Sequence, residues 1–107
     1  MDEFVKVARV EDIPDDAPLG VETLDGEKLA LFKIEGEVYC LLDRCSHRDF
    51  PLSNGLLDYD QVECAWHGAR FNCATGAVLR GPAEDDVQAY EVSVEGDTVL
   101  VKELPPR

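Results

Sequence analysis

The sequence predicts an all-β domain, an antiparallel scaffold built from both chain ends with an irregular insert between them. Three observations predict it. "EKLALFKIEGEVYCLL" (Glu27–Leu42) and "QAYEVSVEGDTVLVKEL" (Gln88–Leu104) each read as two strands around a glycine-centred turn. The stretch between them is dense in turn residues and carries only short strand-like pieces. A single segment, "VEDIPDD" (Val10–Asp16), suits a short helical turn, and Pro14 limits it.

In chain order, "FVKVARV" (Phe4–Val10) alternates in part and is rich in β-branched residues, so it reads as a strand. Asp25-Gly26 marks a turn, Glu35-Gly36-Glu37 a tight hairpin turn, and Glu95-Gly96-Asp97 the equivalent turn near the C-terminus. The insert holds Pro51, Asn54-Gly55, Gly68, Thr75-Gly76 and Gly81-Pro82, all turn signals. "LPPR" at the end reads as a frayed tail. The expectation is one domain over residues 1–107, with a scaffold of 1–42 and 84–107 and an insert of 43–83 that carries the chemistry.

Composition narrows the functions. The chain has 107 residues, 45% hydrophobic and 31% charged, which suits a soluble globule. Asp and Glu outnumber Lys and Arg by 23 to 10, giving a formal charge of −13. Such a surface repels nucleic-acid backbones and anionic membranes, and suits a basic protein partner or simple solubility. No apolar run approaches the roughly 18 residues of a membrane span. The start, "MDEFVKVARV", lacks a basic and then apolar leader, so a cytoplasmic location is expected. Thiols stay reduced there, which favours metal binding or free thiols for the four cysteines.

Both histidines of the chain sit at pair spacing with a cysteine, in Cys45-x-His47 and Cys64-x-x-His67, with sixteen residues between His47 and Cys64. Two thiolates and two imidazoles can close a tetrahedral zinc site. They can also hold a 2Fe–2S cluster, two cysteines on one iron and two histidines on the other. The third reading is no metal, with the coincidence of spacing left to chance. Structural zinc sites ordinarily pair like with like, as C-x-x-C and H-x₃₋₅-H, whereas each pair here mixes one Cys with one His.

The pattern "CSH", then "CAWHG", continued by "RFNCATGAVLRGPA" (Arg70–Ala83), resembles the Rieske iron–sulfur proteins over most of the chain. The resemblance implies a Rieske-type antiparallel β-sandwich or barrel with a small cluster-binding insert of two loops. It implies one Rieske-type 2Fe–2S cluster, Cys45 and Cys64 on the inner iron, His47 and His67 on the outer. Neutral imidazoles leave the outer iron more positive, so the electron settles there, and the site belongs at an exposed tip.

Departures from the family's membrane-bound, quinol-oxidising branch indicate which branch this is. That branch joins its two loops by a disulfide, at the positions occupied here by Phe50 and Trp66, two aromatics expected to pack the loops together. It also places hydroxyl donors where this chain has Ala69 and Phe71, which have none to offer. An N-terminal membrane anchor is likewise not seen. The resemblance therefore implies a soluble, low-potential ferredoxin, monomeric, carrying electrons from a flavin-dependent reductase to a terminal oxygenase of the aromatic-ring dioxygenase type. A terminal oxygenase itself needs a further iron on two His and a carboxylate, and both histidines are committed. The alternatives are the small Rieske-type subunit of an assimilatory nitrite reductase and, more remotely, a zinc-stabilised interaction module.

Other residues carry plainer readings. Cys40 and Cys73 are expected as buried free thiols, with a bridge between them as the alternative. Trp66 reads as loop packing, and Pro82 as a turn residue that the resemblance makes the cap of the cluster. Arg44, Arg48 and Arg70 are either solvated, set to meet a partner's carboxylates, or placed to trim the local negative potential.

Overall fold

The computed structural model describes residues 4–24, 26–44, 51–65, 68–81 and 85–103. Within them the regular structure is ten strands and two single 3-10 turns. The expected helical segment is one such turn, Val10–Asp12, which ends before Pro14.

Six strands form the larger sheet: β1 (Val5–Arg9), β2 (Leu19–Glu22), β3 (Lys28–Ile34), β4 (Glu37–Leu42), β9 (Ala89–Glu95) and β10 (Thr98–Glu103). Their order is β1-β10-β9-β4-β3-β2, antiparallel throughout. The two outermost strands, β1 and β2, touch, so the sheet curls almost into a barrel. The β3–β4 turn has two positive-φ residues, Glu35 at 52° and Gly36 at 82°, the twist that two-residue hairpin loops favour. Sequence reading missed β2, whose four residues "LGVE" have too little pattern to declare a strand. Its place comes from pairing with β3, Leu19 opposite Leu31 and Val21 opposite Leu29.

Four short strands form the second sheet in the order β5-β6-β7-β8: β5 (Leu56–Asp58), β6 (Gln61–Glu63), β7 (Arg70–Asn72) and β8 (Val78–Arg80). The apolar residues divide into two clusters. Ile13, Leu29, Leu31, Val38, Cys40, Tyr90, Val99 and Val101 fill the inside of the curled sheet. Ala30, Phe32, Leu41, Leu52, Val62, Ala69, Phe71 and Val87 fill the layer between that sheet and the small one. Successive side chains of β3 enter different clusters, which is why "LALF" is a continuous apolar run: both of its faces are covered. The buried Tyr90 hydroxyl donates to the Glu27 carboxylate, so the interior polar group is satisfied.

The same division explains two cysteines. Cys40 lies in the curled-sheet cluster and Cys73 in the layer between sheets; both are free thiols, and no bridge joins them. Burial pushes both thiols well above their ordinary pKa. For Cys40, Glu27 and Asp43 add to the effect. For Cys73, Asp60 adds to it, and the value rises from 9.0 to about 12.

Candidate metal centre

Cys64 follows β6 directly and is buried among Leu52, Val62, Ala69 and Phe71. Its backbone N–H donates to the Ala69 carbonyl at 2.7 Å, which holds together the two ends of the segment bearing the Cys64-x-x-His67 pair. The other pair lies between β4 and Pro51. There Asp43 closes the gap: Oδ1 accepts the Ser53 N–H at 2.7 Å and Oδ2 accepts the Ser53 hydroxyl at 2.6 Å.

Two features bring these segments side by side. Leu56 pairs with Glu63, so the chain leaving the first segment runs along the strand that enters the second. Just before it, a Cβ on Gly55 would run into the Glu63 carbonyl oxygen, an approach that only glycine permits. The bases of both Cys/His segments therefore sit together at one end of the small sheet. Cys45, His47 and His67 lie outside the described residues, as do Arg48, Phe50, Trp66, Pro82 and the tail expected to fray.

Strand alternation puts Val62 and Phe71 inward and leaves Glu63, Arg70 and Arg80 outward in one row across β6, β7 and β8. That row is a polar brace. Arg70 donates to Asp58 at 2.7 Å and to Glu63 at 2.9 Å. Arg80 reaches the same Glu63 oxygen at 3.3 Å and donates to the Gly68 carbonyl at 3.1 Å, one residue beyond His67. Arg70 is thus neither simply solvated nor held in reserve for a partner: its guanidinium is committed to carboxylates of its own chain. Sequence reading missed Glu63 and Arg80, and nothing local signals either, because the brace spans 17 residues of chain. Ala69 and Phe71 are fully buried beside Cys64, and neither side chain has a hydroxyl to donate.

The donor set suits iron–sulfur chemistry. A buried thiol in an apolar, water-poor setting, with its backbone fixed, provides a thiolate ligand once metal displaces the proton. A second cysteine and both histidines fall by sequence in segments whose ends are brought alongside it. The all-β fold and the Cys/His pattern of the sequence together fit an iron–sulfur domain.

Residues 3–91 match the Rieske [2Fe-2S] domain, and the chain belongs to that family. Its cofactor is accordingly one Rieske-type 2Fe–2S cluster, and the zinc reading falls away. The chain is 40% identical to the 3-phenylpropionate/cinnamic acid dioxygenase ferredoxin subunit of Shigella flexneri, covering 90% of this chain and 89% of the relative. It is 33% identical to the ferredoxin component of the naphthalene 1,2-dioxygenase system of Pseudomonas aeruginosa, over 94% and 95%. Among solved structures, the complex of reduced oxygenase and oxidized ferredoxin in carbazole 1,9a-dioxygenase contains a chain that superposes with a TM-score of 0.88. That chain is 28% identical, with coverage of 96% of this chain and 97% of that one. These relatives are ferredoxins, electron-transfer components, and this chain is an electron-transfer protein. No helix among the described residues is long and apolar enough to cross a membrane.

Proposed function

We propose that this chain is a low-potential Rieske ferredoxin that takes single electrons from a flavin-dependent reductase and delivers them to a terminal oxygenase of the aromatic-ring dioxygenase type. In this reading it works as a cytoplasmic monomer. Residues 43–83 form the cluster-binding unit on a scaffold of 1–42 and 84–107. Cys45, His47, Cys64 and His67 hold the cluster, cysteines on the inner iron and histidines on the outer.

The observation that carries the proposal is the extent of the likeness. It runs over about nine-tenths of both chains to ferredoxin components of dioxygenase systems. When bound, the cluster supplies a one-electron redox site. The protein's own residues do the rest. The apolar layer around Cys64 keeps water from the thiolate side. The Cys64–Ala69 hydrogen bond and the Arg80–Gly68 contact hold the second segment in one shape. Ala69 and Phe71 withhold hydroxyl donors, which makes electron gain less favourable and favours a low potential. The formal charge of −13 acts in the same direction and suits basic docking surfaces on both partners.

Reconstitution tests this. Purified ferredoxin is mixed with a NADH-dependent flavin reductase and an aromatic-ring oxygenase, and product is measured against ferredoxin concentration. Saturable product formation that vanishes without the ferredoxin is expected. Electron delivery to a nitrite reductase flavoprotein, with none to any ring-hydroxylating oxygenase, would overturn the reading.

A further inference from the structure

We propose that Asp43, Ser53 and Gly20 form a clasp that positions the first Cys/His loop, and that this clasp sets how firmly the cluster is held. The proposal rests on the reading of Cys45 and His47 as ligands. All three are positioning residues.

Asp43 stands two residues before Cys45, and Ser53 stands six after His47. A single carboxylate spans the ten-residue gap between Asp43 and Ser53 with two hydrogen bonds, one to the Ser53 N–H at 2.7 Å and one to its hydroxyl at 2.6 Å. Bonds to an ionised carboxylate are short and about twice as strong as neutral ones. Two of them on one side chain fix orientation as well as distance. The anchor is itself fastened, since the Asp43 N–H donates to the Lys28 carbonyl at 2.9 Å, on β3. On the other side, Leu52 is fully buried in the layer between the sheets and holds the returning chain down.

Gly20 completes the arrangement. A Cβ there would lie 2.8 Å from the Ser53 hydroxyl oxygen, 3.1 Å from the Ser53 Cβ and 3.3 Å from Asp43 Oδ2. Gly20 pairs with Ala30 in ordinary extended β2, so the position demands the absence of a side chain and not an unusual backbone. The short edge strand β2 thereby acquires a role: it is the seat on which the clasp closes. Fixing both ends of the loop would leave Cys45 and His47 fewer conformations to be ordered when they hold the cluster, and opening the clasp would raise that entropy cost. Partners that orient metal ligands are typically worth about 10- to 100-fold in metal affinity or activity.

The experiment compares cluster-loaded parent, Ser53→Ala, Gly20→Ala and the double variant. Rates of iron release to a chelator are measured together with the visible circular dichroism of the cluster. Ser53→Ala leaves every charge in place, so a changed signature reports geometry and not electrostatics. Both single variants are expected to assemble the full cluster, show altered visible dichroism and release iron about tenfold faster or more. The Gly20→Ala effect should shrink in the Ser53→Ala background, because the oxygen it strikes is gone. Parent-like release rates and spectra in both single variants, or fully additive effects in the double, would overturn the clasp. His47→Ala separates the two readings. Retention of full iron and sulfide in that variant means that the ligand reading is wrong. Loss of iron there, with parent-like behaviour in both Ser53→Ala and Gly20→Ala, means that the clasp alone is wrong.

Discussion

The two sheets of this molecule are held by different forces. The large sheet has strands of up to seven residues and buries apolar side chains on both faces of β3. It is stabilised by non-directional burial, and it owes little to any single polar contact. The small sheet has four strands of three residues each. Three residues pair with few neighbours, so its shape depends on directional contacts: the Glu63–Arg70–Arg80 brace outside, the Asp43–Ser53 bonds at one segment and the Cys64–Ala69 bond at the other. The lesson is a division of labour, in which an apolar sheet carries a small polar-latched sheet from whose end both Cys/His segments depart.

That contrast can be broken experimentally, beginning with the largest effect. Leu31→Ala, in the curled-sheet core, should cost about 2–5 kcal/mol of stability. Chemical denaturation of the cluster-loaded protein measures this, and the cluster's spectrum should stay parent-like until the protein unfolds. A changed spectrum in the folded variant would show that the two sheets are not separable in this way.

The reverse case is Ala69→Ser with Phe71→Tyr, which should leave global stability nearly unchanged and raise the midpoint potential. A hydrogen bond contributes about 1 kcal/mol, and one electron converts two such bonds into tens of millivolts. Protein-film voltammetry reads the shift, and a crystal structure of the variant shows whether the hydroxyls reach sulfur. If they reach and the potential does not rise, the proposal that missing hydroxyl donors keep the potential low fails.

Arg80→Gln should cost less still in global stability, about 0.2–1 kcal/mol, because Arg80 is exposed and its ion pair is screened. The Gly68 carbonyl loses its donor all the same, so the EPR signal of the reduced cluster should broaden or shift. An unaltered EPR signal would remove the brace from the site.

The smallest effect is confined to alkaline solution. The Cys73 pKa is raised, so its contribution to stability is fully present below the unfolded-state value near 9.0 and is lost as pH rises towards about 12. Denaturation midpoints should be level across neutral pH and fall above pH 9, and Cys73→Ala should flatten part of that fall.

Long-range polar contacts were the least legible part of this molecule in its sequence. The hairpins were readable because Glu35-Gly36 and Glu95-Gly96 are local turn signals between apolar runs. The cofactor was readable because both histidines stand at pair spacing with a cysteine, a reading that needs no knowledge of packing and that the match to the Rieske [2Fe-2S] domain supports. β2 was not readable, since its place depends on Leu31 and Leu29 opposite it and not on its own four residues. The role of Arg70 stayed open between solvent, a partner and the local negative potential because its partners Asp58 and Glu63 lie on neighbouring strands. A pairwise register, not a local pattern, decides such contacts. Gly20 carried no signal at all, because what it makes room for is 33 residues away in the chain.

The central claim is that two Cys/His segments, their bases gathered at one end of the small sheet, hold a single 2Fe–2S cluster. Iron and acid-labile sulfide in purified parent, Cys64→Ser and His67→Ala measure it most directly. The account predicts two irons and two sulfides per parent chain, and loss or gross alteration of the cluster in both variants, with far-ultraviolet dichroism still that of a β protein. Full iron and sulfide in either variant, with an unchanged visible spectrum, would contradict it.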